Sequence, residues 1–159
     1  MHGAEEAAKP AGLPEEFRVR ILAVTASFNT PQDAARLTEA SVEAERLDQE
    51  LTDRYGPRHP HTINIRELRG WLALVKGQPG DAARWYLHTT GLQTILYGPD
   101  HANTQGSVRR AIHAWQQVND SAEVVQIGGN LAKAAAAVLG EGSDAARFIQ
   151  ARLSRRQQS

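Results

Sequence analysis

Six histidines are the residues best suited to chemistry in this 159-residue sequence, and His59-x-His61 with His101 is the tightest potential metal-ligand cluster. Spacing argues against that use. His59 lies in Tyr55-Gly56-Pro57-Arg58-His59-Pro60-His61-Thr62, which returns 42 residues later as Tyr97-Gly98-Pro99-Asp100-His101-Ala102-Asn103-Thr104. Equivalent places in packed helical units lie about 10 Å or more apart, whereas zinc–imidazole bonds are about 2 Å long. His59 and His101 are therefore expected to be linker or capping residues, and neither a metal nor another cofactor is expected. His88 and His113 fit no ligand motif and read as satisfied or surface histidines.

Other chemistries fare no better. Without cysteine there is no disulfide, thiolate zinc site, iron–sulfur cluster or cysteine nucleophile. Ser27, Ser41, Ser107, Ser121 and Ser143 lie in no G-x-S-x-G elbow. Gly140-Glu141-Gly142 lacks the Lys-Ser/Thr of a phosphate loop and puts an acid where the anion would sit. Glu15-Glu16 and Glu43-x-Glu45 are carboxylate pairs, read as exposed helical acids. The chain is expected not to be an enzyme.

Eighteen Lys and Arg balance eighteen Asp and Glu, so no concentrated positive surface for nucleic acid or anionic membrane is expected. Arg109-Arg110 and the run from Arg152 to Arg156 lack interleaved aromatics for base stacking and read as a solvated face and a soluble tail. Charge is nonetheless uneven. Residues 1–50 carry ten acids and five bases, and the excess positive charge lies behind them. No apolar run approaches the roughly 20 residues of a membrane helix, and MHGAEEAAKPAG lacks the order of a secretory signal. A cytoplasmic location is the expectation.

The elements that would position these groups are helical. Residues 1–14 read as a flexible lead. The dense apolar run Phe17, Val19, Ile21, Leu22, Val24 and Phe28 fits a buried helix ending at Asn29. Thr30 and Pro31 are expected to cap and open the next helix, with Asp33 in its first turn. Leu37, Ala40, Ala44, Leu47, Leu51 and Tyr55 form its apolar stripe, and Gly56-Pro57 stops it. Further helices are expected over about 60–75, 81–96, 104–118 and 121–139, broken at Gly77, Gly98 and Asn119-Asp120. Ser143 is placed to cap a last helix with Ala146, Phe148, Ile149 and Leu153 on its apolar face. No segment alternates as a strand.

The 42-residue recurrence marks a repeat architecture. At these residues the chain resembles tetratricopeptide-repeat proteins, particularly the variant of about 42 residues per repeat found in kinesin light chains and in actinobacterial regulators, whose linkers read G-P-D-H-P-x-T. An Arg-over-Lys, Ala-rich composition also resembles actinobacterial proteins. In the middle repeat Gly70, Gly77, Ala82 and Tyr86 match the family's small, turn, small and aromatic positions. Arg66 and Arg69 depart from its usual large apolar residues, and Ala73 replaces a common aromatic. In the third repeat Ile112 stands where the small residue belongs. The first repeat lacks the linker, and matches through its helix pattern and through Asp33-Ala34-Ala35-Arg36 beside Asp81-Ala82-Ala83-Arg84.

The resemblance implies an all-α chain, a right-handed superhelix of about three tetratricopeptide-like helix pairs plus a C-terminal capping helix. Its repeats would span about 15–54, 60–97 and 102–139, with a capping helix over about 143–156, all in one domain over 15–159. In the family the first helix of each repeat lines a concave groove. The corresponding positions are Asn64, Glu67, Trp71 and Leu74, then Gly106, Arg109, His113 and Gln116. These residues would bind a peptide or protein segment, with Trp71 either the anchor or a core residue; Trp85 and Trp115 read as core or inter-repeat packing. The implied function is a non-enzymatic protein–protein interaction module, an adaptor or regulatory scaffold. The alternative is a self-assembling unit, such as a homodimer, stacking through its terminal repeats unless the last helix seals the end.

Overall fold

Positive-φ glycines set the rhythm of the chain. In the computed structural model, which describes residues 12–158, helix α1 spans Glu15–Ala26 and passes through a 3-10 turn, Ser27–Asn29, to α2, Ala34–Tyr55. Then come α3 (Pro60–Val75), α4 (Pro79–Tyr97), α5 (Ala102–Gln116), α6 (Ser121–Leu139) and α7 (Asp144–Gln158). No strand occurs among the described residues. Gly56, Gly98 and Gly140 end α2, α4 and α6 at φ of 90°, 93° and 105°, a region costly for residues with a Cβ.

Behind the first two glycines the octapeptide repeats in space as it does in sequence. His59 and His101 adopt the same extended conformation, and their Nδ1 atoms accept the N–H of His61 and Asn103, each at 3.0 Å. Each histidine thus caps the following helix, a role that requires an unprotonated Nδ1. Thr62 and Thr104 donate to the Gly56 and Gly98 carbonyls at 2.7 and 2.9 Å. Tyr55 and Tyr97 lie against the same imidazoles, with centroids 4.6 and 4.3 Å apart.

Consecutive helices pack against each other, and α4 also packs on α6. The apolar core forms two clusters. Phe17, Val24 and the α2 stripe from Leu37 to Leu51 join Ile65 and Leu72 of α3; Ala73, Tyr86, Trp115, Leu131 and Ile149 belong to the second. Close approach depends on missing side chains. A Cβ on Gly70 would lie 3.0 Å from the Tyr86 ring, and one on Gly128 would lie 2.5 Å from Leu153 Cδ2. Trp115 is fully buried beside Gly128, with its indole N–H donating to the Val124 carbonyl at 2.9 Å.

The second-helix side of the stack is closed between α4 and α6 but open between α2 and α4, which share no comparable contact. Three residues explain the difference. A Cβ on Gly80 would lie 2.8 Å from the Glu123 carboxylate oxygens, and Arg84 reaches Glu123 at 3.4 Å. Forty-two residues earlier, Thr38, Val42 and Asp81 replace Gly80, Arg84 and Glu123. That set has neither the missing side chain nor the ion pair.

Several local expectations are corrected. The cap of α2 is Asp33, whose carboxylate accepts the Arg36 N–H at 3.1 Å; Thr30 instead donates to the Ser27 carbonyl and closes the 3-10 turn. Asp33-Ala34-Ala35-Arg36 and Asp81-Ala82-Ala83-Arg84 are not equivalent, because Asp33 caps α2 whereas Asp81 is already inside α4. α1 is not a buried helix. It leads the stack with one face uncovered, leaving Val19 and Leu22 57% and 66% exposed. Residues 1–11 of the expected flexible lead lie outside the described residues, but Leu13 already packs on the first cluster.

The basic tail is not simply solvated. Arg152 is buried, and its guanidinium donates to the Trp115 and Val118 carbonyls at 2.5 and 2.6 Å while lying 4.5 Å from the Trp115 ring centroid. Ser143 caps α7 through the Ala146 N–H at 3.1 Å. Ala146, Ile149 and Leu153 point inward, while Phe148 is exposed.

Candidate functional site

The open seam between α2 and α4, floored by α3, forms a concavity of about 810 Å³. Leu72 and Ala73 supply its apolar floor, and Val42 and Trp85 line it from α2 and α4. Polar groups converge around them. Asp48 is buried on α2, where its carboxylate accepts from Arg66 Nε at 3.1 Å, Arg69 at 2.7 Å and Thr52 Oγ1 at 2.9 Å. Arg66 also reaches Thr52 at 3.1 Å and His88 Nε2 at 2.7 Å. Burial and the Arg66 charge push the His88 pKa below its ordinary value, with Asp48 opposing, so His88 serves as a neutral acceptor. Arg69 lies 4.3 Å from the Trp85 ring centroid, and Lys76 donates to Ser41 Oγ at 3.2 Å.

A different face carries most of the groove residues expected from sequence. Asn64, Arg109, His113 and Gln116 are exposed, and Trp71 is 43% exposed with its ring edge-on to Phe28 at 6.2 Å. Two expected groove residues are committed to the interior. Leu74 packs on the second core cluster. Glu67 accepts from Arg110 Nε at 3.0 Å and Ser107 Oγ at 3.0 Å and closely from Thr89 Oγ1, tying α3 to α4 and α5. Burial and the Glu67 charge push the Tyr86 phenol up to about 12. None of the eight expected groove positions, Gly106 included, lines the α2/α3/α4 concavity. Among the described residues, no group of three or more His, Asp or Glu could hold a metal ion.

No family model matches the chain, and no curated protein matches it. Among solved structures it is similar to a Podosopora anserina protein described as a kinesin light chain with nearly identical TPR-like repeats. The TM-score is 0.56 at 15% identity, over 91% of this chain and 68% of the other. The fold is a tetratricopeptide-like repeat solenoid.

Sequence reasoning missed what is specific to this solenoid. Asp48 interrupts the apolar stripe between Leu47 and Leu51, and an acid at such a place signals a buried partner. The three middle-repeat positions that depart from the tetratricopeptide pattern, Arg66, Arg69 and Ala73, all line the concavity. Two of them are the partners Asp48 requires. The third puts a small side chain where a ring would take up space. No helix among the described residues is long and apolar enough to cross a membrane.

Proposed function

We propose that this chain is a non-enzymatic protein-binding module that receives a peptide segment across α3 and α5, with Trp71 as its anchor. The observation that carries the reading is the exposure of Trp71, 43% against a fully buried Trp115. A large ring left in solvent on the helix face that also carries Asn64 suits recognition better than stability. Asn64, Arg109, His113 and Gln116 supply the polar contacts; Glu67 and Leu74 hold the surface in shape from beneath. Self-stacking through the last repeat is disfavoured because α7 turns Ala146, Ile149 and Leu153 into that end.

The test is affinity capture from lysate with wild type and a Trp71→Ala, Arg109→Glu variant of unchanged helicity, followed by titration of the captured protein's binding segment. A protein held by wild type and lost by the variant supports the reading. Equal retention by both rejects it, and recovery of only this chain, with a mass that grows with concentration, supports self-assembly instead.

A further inference from the structure

We propose that the concavity between α2, α3 and α4 is a second binding site, for a small organic acid that carries one carboxylate on an apolar body. At about 810 Å³ it falls within the size range of small-molecule sites. It also has the division of labour that such sites show: Val42, Leu72, Ala73 and Trp85 are the apolar lining, and a few convergent polar groups surround them.

Charge selects the ligand. Arg66, Arg69, Lys76 and Arg84 face Glu45, Asp48 and Asp81 across the concavity. Asp48 is consumed by Arg66, Arg69 and Thr52, and Arg84 is consumed by Asp81 at 3.3 Å and Glu123 at 3.4 Å, a cluster of net negative charge. Away from that cluster, Arg66, Arg69 and Lys76 against Glu45 and Asp48 leave one positive unit, carried by Arg69 and Lys76. One unit suits a monocarboxylate better than a phosphate ester, which Glu45 on the rim would also repel.

Arg69 is built for the task. Its guanidinium is fixed between Asp48 and the Trp85 ring, so little side-chain freedom is lost when it binds. Only one of its nitrogens is engaged by an acceptor among the described residues, which leaves further N–H groups for a two-point contact with a carboxylate. Lys76, the C-cap of the same helix, offers a point charge held by the Ser41 hydroxyl. Arg66, Arg69 and Ala73, the positions at which the sequence leaves the tetratricopeptide pattern, supply part of the concavity's charge and its room.

The three tryptophans make the test specific, because Trp85 lies in the concavity, Trp71 on the α3/α5 face and Trp115 in the core. The ¹⁵N-labelled protein is titrated with 1-naphthoate and, separately, with neutral 1-naphthamide while the indole N–H signals, assigned by Trp→Phe variants, are followed. Naphthoate is expected to move the Trp85 signal saturably and leave Trp115 in place, with naphthamide roughly tenfold weaker. Lys76→Gln, which removes a charge whose side chain is held by the Ser41 hydroxyl, is expected to weaken naphthoate by a similar factor without changing the melting temperature. Equal responses to acid and amide, no saturable movement of Trp85, or movement confined to Trp71 would each overturn the proposal. Because Trp71 reports the α3/α5 face, failure here leaves the peptide-binding reading standing, and the converse holds.

Discussion

Replacing Arg152 by Met removes the charged clamp through which the last helix holds the end of α5. Its two N–H···O contacts, 2.5 Å to the Trp115 carbonyl and 2.6 Å to the Val118 carbonyl, are buried and lie where the helix dipole is negative. A charged donor contributes about 1.5–3 kcal/mol per bond. Burial lowers the Arg152 pKa, with Arg156 and Arg155 adding to the shift, so part of that gain offsets desolvation. A net loss of about 3 kcal/mol is expected for Arg152→Met, the low end of the sum for two bonds. At about 2–4 °C per kcal/mol for a chain of this size, the melting temperature should fall by roughly 6–12 °C. Arg152→Lys, whose ammonium lacks the planar fork, should lose about half as much. Arg147→Met, which breaks only an exposed pair with Asp144, should stay within about 0.5 kcal/mol of wild type. Urea unfolding followed by circular dichroism reads all three. If Arg152→Met unfolds with wild type, the guanidinium is solvated and the clamp does not exist.

The His59 cap makes stability depend on pH. Burial and, secondarily, His61 lower its pKa, so its contribution is present above the ordinary value of 6.5 and is lost as pH falls through the depressed folded value. His88, lowered by burial and Arg66, adds to the same slope, and His59→Asn, which keeps a cap acceptor but cannot titrate, should flatten the urea midpoint between about pH 7 and 5. Gly128→Ala puts a Cβ 2.5 Å from Leu153 Cδ2 and 3.0 Å from Trp115 Cζ2; a loss of about 1–3 kcal/mol is expected, with Leu153→Ala less harmful in that background than in wild type. Glu67→Ala leaves Arg110 and Thr89 without their shared acceptor and should cost about 2 kcal/mol, with faster amide exchange in α3 and α5. Unchanged exchange there would show that Glu67 does not join the repeats.

The repeat was legible because its signals are local. A glycine that must take positive φ, a histidine that must cap and a threonine that must reach back to the glycine carbonyl all lie within eight residues, and the pattern recurs. Ser143 and the inward face of α7 were legible for the same reason. What escaped depends on partners far away in sequence. Arg152 looks like tail charge until the α5 carbonyls are in place, and Glu67 looks like a groove acid until Arg110, Ser107 and Thr89 close around it. Asp33-Ala34-Ala35-Arg36 misled because four matching letters say nothing of register: α2 is three residues longer than α4. The concavity was the hardest to see. It arises from a contact that α4 and α6 make and that α2 and α4 do not, and only the replacement of Gly80, Arg84 and Glu123 by Thr38, Val42 and Asp81 records the loss.

That open seam also divides the mechanics of the molecule. Behind the seam α4 is joined both to its neighbours and to α6, whereas the first hairpin is fastened along a single line, α2 on α3. A body joined along two lines resists bending in both directions; one joined along a single line swings about it, like a page on its binding. The apolar clusters respect the same division, with Ile65 and Leu72 of α3 facing one and Ala73 the other. In a stack whose units feel only their neighbours, α3 is the binding, the helix that gives residues to both clusters.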